Sequence, residues 1–374
     1  KSNHKEFYEM MDIRTNSSNN TVYADADGTI AYYHGNFIPK RNKNFDYTKP
    51  VDGSNPKTDW QGLHPLEDNI LVLNPPNGWI QNCNSTPFTS ALEYSPKKED
   101  YPAYMYSFPE NFRGIHAIPL LTKAKDLTLD LLIDLSYDTY LPGAEVLING
   151  VLDAAKKSPV RNKEAKEAIA LLRKWDFRVS VDAIEMTITQ YYINAYYKSG
   201  KIPRNKGNKR MNRLSRFNYM SKTSSPTERL MVFQKAINKL KADFGTWKTP
   251  WGEFNRYQRN DGEIKQDFDD TKPSIPVGMA SGRWGALASY GTRFGKDTKR
   301  QYGTSGNSFV AVVEFGDKVT AKTMLAGGQS GNPDSPHFAD QAQRYADKQF
   351  KDVAYYKEDV LKRAKKTYHP GNKN

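Results

Sequence analysis

Hydrophobic periodicity changes twice along this 374-residue chain, and that limits its fold more than any single residue does. Near the start, Thr21-Val-Tyr-Ala-Asp25 and Thr29-Ile-Ala-Tyr-Tyr33 flank Ala26-Asp27-Gly28. Asp-Gly between β-prone runs is a strong turn signal, so residues 17–36 are predicted to form a hairpin. The middle third follows a helical period instead. Segments 128–138 and 142–157 read as helices, the second with Pro142 in its first turn. Ala165, Ala168, Ile169 and Leu172 fall at i, i+3, i+4 and i+7, and Ile184, Ile188, Tyr191 and Ala195 form a similar stripe. Ser225-Pro-Thr-Glu228 is a capping box that opens a helix carrying Leu230, Phe233, Ile237 and Leu240. From about residue 274 the β period returns. Ser308-Phe-Val-Ala-Val-Val-Glu-Phe315 is predicted to be a strand covered on both faces. Gly316-Asp317 turns it, and residues 318–326 run back. This order suits an α+β fold in three parts: a sheet-forming part at 1–120, a helical insertion at 121–273, and returning strands with a C-terminal helix at 274–374.

Hydrophobic residues make up only 37%, but 23 Tyr, 17 Phe and 6 Trp supply large buried areas. The net charge of +13 admits an acidic partner, and its sharpest focus is 201–216, with seven basic residues and no acid. Pro203, Gly207 and the asparagines there favour a solvated turn over a groove-reading helix, which argues against nucleic acid. The rival to an enzyme is a noncatalytic protein that binds acidic polymers through this stretch. The one cysteine, Cys83, excludes an internal disulfide and a cysteine-based zinc site. No apolar run is long enough to span a membrane. Lys1-Ser-Asn-His-Lys5 has the character of the interior of a longer protein.

Few side-chain constellations withstand inspection. Ser330, His337 and Asp340 hold the residue types of a catalytic triad, but Gly328-Gln-Ser-Gly331 is not the nucleophile elbow and reads as a glycine-rich turn. Asp25 and Asp27 lack the further carboxylates of a calcium loop and read as turn residues. The six histidines show no close metal-ligand spacing. Cys83 reads as a buried, inert thiol. Ser2, followed by an amphipathic helical stretch, is not placed to act as a nucleophile at a strand start.

The most informative stretch is Asn74-Pro-Pro-Asn-Gly-Trp-Ile-Gln-Asn-Cys-Asn-Ser-Thr-Pro87, read as a Pro/Gly turn, a short strand and three small polar residues. An amide side chain held at such a strand end is a preorganised donor of the kind a developing oxyanion needs. With this stretch stand Tyr23-Ala-Asp-Ala-Asp-Gly-Thr-Ile-Ala-Tyr32, Ile38-Pro-Lys-Arg41, Asp59-Trp-Gln-Gly62, Trp247-Lys-Thr-Pro-Trp-Gly252, and Gly328-Gln-Ser-Gly331 with Ser335-Pro-His-Phe-Ala-Asp-Gln341. In this order they resemble the later β-chain of the penicillin acylase family of N-terminal-nucleophile (Ntn) hydrolases over essentially the whole chain. The likeness to the antibiotic and acyl-homoserine-lactone acylases is greatest at the C-terminal end.

The resemblance implies part of a four-layer αββα sandwich with an inserted helical region. It also implies a self-cleaving precursor whose new N-terminal serine attacks an amide carbonyl, with its own amine as base. That serine, the other oxyanion donor and the first strands are expected upstream of Lys1, in an α-chain and a β-chain N-terminal segment. Asn84 corresponds to the oxyanion-binding asparagine, and Arg113, in Phe112-Arg-Gly-Ile115, to the arginine that orders the site. The implied substrate is an N-acylated small molecule or lipopeptide, and the implied location periplasmic or secreted. No cofactor is called for; where some family members have a structural-calcium ligand this chain has Met105, with Asp100 the nearest acid.

Overall fold

The computed structural model describes residues 3–15, 19–35, 37–106, 108–206, 209–369 and 371. Ser2, rejected above as a nucleophile, lies outside the described residues. A short helix α1 (His4–Met11) opens the chain, capped by the side chain of Asn3. The predicted hairpin forms as β1 (Thr21–Ala24) and β2 (Ile30–Tyr33), and β3 (Leu71–Leu73) extends it into an antiparallel sheet. Asp25 organises the hairpin turn by accepting the Tyr23 hydroxyl and the Asp27 and Thr29 amides. These bonds, the Tyr23 hydroxyl first, hold its carboxyl below the usual aspartate range.

A helical region follows, made of α2 (Phe112–Lys123), α3 (Leu129–Ser136), α4 (Pro142–Lys157), α5 (Lys163–Leu172) and α6 (Ile184–Lys198). After a two-stranded ribbon, β4 (Asn205–Lys206) and β5 (Lys209–Arg210), come α7 (Arg213–Asn218), a π-helical turn at Tyr219–Thr223 and α8 (Pro226–Phe244). The described residues of the basic stretch 201–216 thus include a short ribbon and the start of α7, where the sequence pattern suggested a loop throughout. Ser225 caps α8 through the Glu228 amide, as its capping box requires. The Glu228 carboxylate accepts the hydroxyls of Tyr196 and Tyr219.

The largest core lies here and joins faces of α4, α5, α6 and α8 with Trp247, Trp251 and Trp284. The stripe Ala165, Ala168, Ile169 and Leu172 is buried as its period demands. Helix α6 departs from the one-face expectation. Met186, Thr187, Ile188, Thr189, Gln190, Tyr191, Tyr192, Ile193 and Tyr196 are all buried, because α6 runs through the centre of the bundle. Two of its buried polar side chains are paired: Thr189 donates to Glu185 O, and Gln190 accepts the Trp284 indole N–H.

Past Gly245, which ends α8 in the left-handed region, α9 (Trp251–Phe254) leads into β6 (Asn255–Tyr257), β7 (Ile275–Pro276), β8 (Tyr290–Phe294) and β9 (Gln301–Gly306). These form one sheet in the order β7-β6-β9-β8, with β6 and β9 parallel. Strands β10 (Phe309–Glu314) and β11 (Thr320–Leu325) pair antiparallel. After α10 (Ala342–Ala346), β12 (Lys351–Asp352) joins β11, and α11 (Lys357–Arg363) follows.

Strand β10 corrects one expectation. Val310 packs on a small core with Met324 and Ile133, and Val312 is buried, but Phe309, Val313 and Phe315 are 61%, 40% and 44% exposed. The described residues supply a cover, α3, for one face only, and β10 is also an edge of its sheet.

Helix α4 meets the π-helical turn so closely that a Cβ on Gly150 would lie 2.5 Å from Ser221 Cα. The buried Arg229 locks this contact by donating to Gly150 O and Ser221 O. Replacing Gly150 by Ala is expected to overpack the joint and cost about 1–3 kcal/mol, read as a lower thermal unfolding midpoint of the full-length protein.

Candidate functional site

Strand β3 stops where Pro75 and Pro76 remove two successive backbone donors. Asn74, at φ 43°, turns the chain and grips β2: its side chain accepts the Ile30 amide, and its own amide donates to Ile30 O. The short strand expected after Gly78 does not form. Residues 79–84 run without a ladder partner because their polar groups are engaged elsewhere. Gln81 donates to Ser90 O from its backbone and to Thr89 O from its side chain. Asn82 donates to the Tyr32 hydroxyl, which pairs with His34 Nδ1 at 2.7 Å. Burial holds His34 below the ordinary histidine range, so this anchor of the loop on β2 is uncharged near neutral pH.

The loop presents Asn84 at φ 52°, a left-handed conformation that asparagine adopts more readily than most residues. Arg113, in the first turn of α2, reaches it. Its Nη2 donates to Asn84 Oδ1 at 2.6 Å and to Cys83 O at 2.6 Å. The structure therefore brings together the two site residues singled out in the sequence. The contact also fixes the amide's sense: a guanidinium only donates, so Oδ1 faces Arg113, and Nδ2, on an exposed residue, takes no part in it. The arginine needs room on its far side, where a Cβ on Gly282 would lie 2.9 Å from Arg113 Cδ.

Two further residues complete the joint. Asn111 caps α2 and donates to Cys83 O and Asn84 O, while Glu110 receives the Thr89 hydroxyl and the Asn111 amide. Sequence reasoning passed over both. The signal available was an asparagine directly before an apolar helical run, the usual N-cap. Cys83 is half-buried, and burial pushes its thiol up, so it stays protonated at neutral pH, in keeping with an inert role.

The other constellations resolve as turns. His337 pairs with Asp340, but the Ser330 hydroxyl accepts the Asn332 amide within its own turn. Met105 is buried, and a thioether is a poor ligand for calcium, which takes oxygen. Among the described residues, no group of three or more His, Cys, Asp or Glu side chains gathers as a metal site. Among them, too, no helix is long and apolar enough to cross a membrane.

The penicillin amidase family model matches residues 1–362. The chain belongs to the penicillin amidase family. This family member is 30% identical to penicillin G acylase of Escherichia coli over 161 residues, which are 42% of this chain and 18% of that protein. It is 31% identical to the acyl-homoserine lactone acylase PvdQ of Pseudomonas savastanoi pv. phaseolicola over 100 residues, 26% of this chain and 13% of that one. The chain thus matches less than a fifth of the length of either acylase. A thermostable penicillin G acylase from Alcaligenes faecalis superposes on it with a TM-score of 0.59 and 16% identity, covering all of this chain and 70% of the other. The fold is accordingly an α+β Ntn-hydrolase fold, and the curated relatives are amidohydrolases.

Helix α2, which carries Arg113, is fastened at its buried face by His116, which bonds Gly285 O and Asp138. Burial opposes ionisation of Asp138, but the Tyr140 amide and the Arg178 guanidinium outweigh it and hold the carboxyl below its usual range. A depressed carboxyl contributes stability that is complete above its unfolded pKa and lost as pH falls through the folded one. Asp138→Asn is therefore expected to lower the unfolding midpoint at neutral pH and to weaken the loss of stability below about pH 4, measured by thermal melts across pH.

Proposed function

We propose that this chain is the C-terminal portion of an N-acyl amide hydrolase that works through an acyl-enzyme. The nucleophile is an N-terminal serine upstream of Lys1, in a segment made from the same precursor, and the whole enzyme is periplasmic or secreted. The single observation that carries this reading is the Arg113–Asn84 contact, which commits Asn84 Oδ1 and leaves Nδ2 out of the contact.

The serine oxygen attacks the amide carbonyl, and its proton passes to the serine's own α-amine. The carbonyl π electrons move to oxygen, and Asn84 Nδ2 donates to that developing charge. Collapse of the intermediate expels the amine, which takes up the proton, and leaves an ester that water hydrolyses. Arg113 holds Asn84 and touches no reacting atom. The chemistry assigned to these groups calls for no cofactor. The scissile substrate is a linear N-acyl amide: a β-lactam side chain, an acylated homoserine lactone or a lipopeptide.

Two features favour a partner segment. Asn84 is exposed, whereas an oxyanion donor is most effective in a site closed to water. The open edge and bare face of β10 would be covered by strands supplied from the upstream part. In this reading residues 1–120 and 274–374 belong to the shared Ntn core, and 121–273 form the helical insertion.

Asn84→Ala in the full-length, processed enzyme is expected to lower kcat by about 10²–10³ with KM little changed. Steady-state hydrolysis of N-acyl amides tests this, and an unaltered kcat would remove Asn84 from the mechanism.

A further inference from the structure

The Asn111 side chain makes four hydrogen bonds that join the two elements of the site. Its Oδ1 accepts the amides of Arg113 at 2.9 Å and Gly114 at 3.2 Å, capping α2. Its Nδ2 donates to Cys83 O at 3.0 Å and Asn84 O at 3.2 Å, the carbonyls of the two peptide units that flank the Asn84 Cα. Arg113 Nη2 then closes the ring on Cys83 O and Asn84 Oδ1. One asparagine thus sets both where α2 presents Arg113 and where the backbone presents Asn84.

The surroundings hold Asn111 in turn. Glu110 accepts the Asn111 amide and the Thr89 hydroxyl, each at 2.7 Å, and so ties the far end of the loop to the same helix start. Gly114 leaves space for that carboxylate, which a Cβ there would strike. Residues 110–114, Glu-Asn-Phe-Arg-Gly, therefore act as one unit.

Capping alone does not explain the choice of residue. Ser, Thr, Asp and Asn cap helices about equally well, but of these only an amide adds two N–H donors. An aspartate would cap α2 yet turn a charge on the two carbonyls that Asn111 now satisfies.

We propose that Asn111 is a positioning residue for catalysis, holding the Asn84 amide at the place where it meets the oxyanion. The inference rests on the reading of Asn84 as an oxyanion donor. A donor must lie within a few tenths of an ångström of its ideal distance, and a displacement of about 1 Å can cost about 10²-fold in rate.

The test uses the full-length, processed enzyme, with concentrations normalised by active-site titration. The probes are N-acyl-4-nitroanilides with arylacetyl and straight-chain acyl groups. Asn111→Ser and Asn111→Asp keep a cap but remove both donors. Each is expected to lower kcat by about 10-fold or more while KM stays within about twofold. Placed in an Asn84→Ala background, the same substitutions are expected to change kcat by less than about twofold, because the group they position is gone.

A wild-type kcat for Asn111→Ser beside a strongly impaired Asn84→Ala would overturn the positioning role and leave the oxyanion reading intact. Equal losses in both backgrounds would also overturn it, since they mark a general structural role. A wild-type kcat for Asn84→Ala would instead remove the reading on which the inference rests. If Asn111→Asp does not fold or mature, Asn111→Ser decides the matter alone.

Discussion

The contact between Arg113 and Asn84 depends on a chemical asymmetry. A guanidinium offers only N–H groups, whereas a side-chain amide offers one acceptor and two donors. Any arginine placed against an asparagine therefore orients it, and here it commits Asn84 Oδ1 while Nδ2 takes no part in the contact. Much of the fold serves this meeting. The hairpin β1–β2 anchors the loop through Asn74 and Asn82, and the helical core supports α2 through Phe112, which packs on Phe217. His116 ties the same helix to the segment carrying Gly285. Residues far apart in sequence thereby converge on one side-chain amide.

Legibility from sequence followed the range of the interactions. The hairpin at Asp27-Gly28, the helix from Pro142 to Lys157 and the Ser225 cap all depend on residues a few positions apart, and each lies where its local pattern put it. The failures are non-local. Residues 79–83 have strand-like composition, but the carbonyls of Thr89 and Ser90 and the Tyr32 hydroxyl take their donors. Helix α6 shows a one-sided stripe, yet the bundle surrounds it on all sides. Neither circumstance is written in the segment concerned.

The same distinction applies to the site. Asn84 and Arg113 could be named in advance because the order of motifs resembles a known family, not because their spacing of 29 residues predicts contact. Asn111 carried only a helix-cap signal, which is common to many helices. Its second set of bonds, to Cys83 and Asn84, became visible only once the loop had a position. The basic stretch 201–216, which supported a binding protein as the rival reading, contributes a small ribbon and the start of α7 among its described residues, with no aromatic stacking platform in its sequence.

The uncovered face of β10 bears on the order of events in making such an enzyme. A strand with aromatic side chains in water and an unpaired backbone edge is a template for indiscriminate pairing. In one continuous precursor, the covering strands would be tethered nearby at high effective concentration and would claim that edge before a stranger could. Under the proposed route, a cut made after folding would leave the edge already paired, whereas an earlier cut would release a fragment with that edge open. Under the proposed maturation, late internal cleavage would act as a folding safeguard as well as a way to expose a nucleophile.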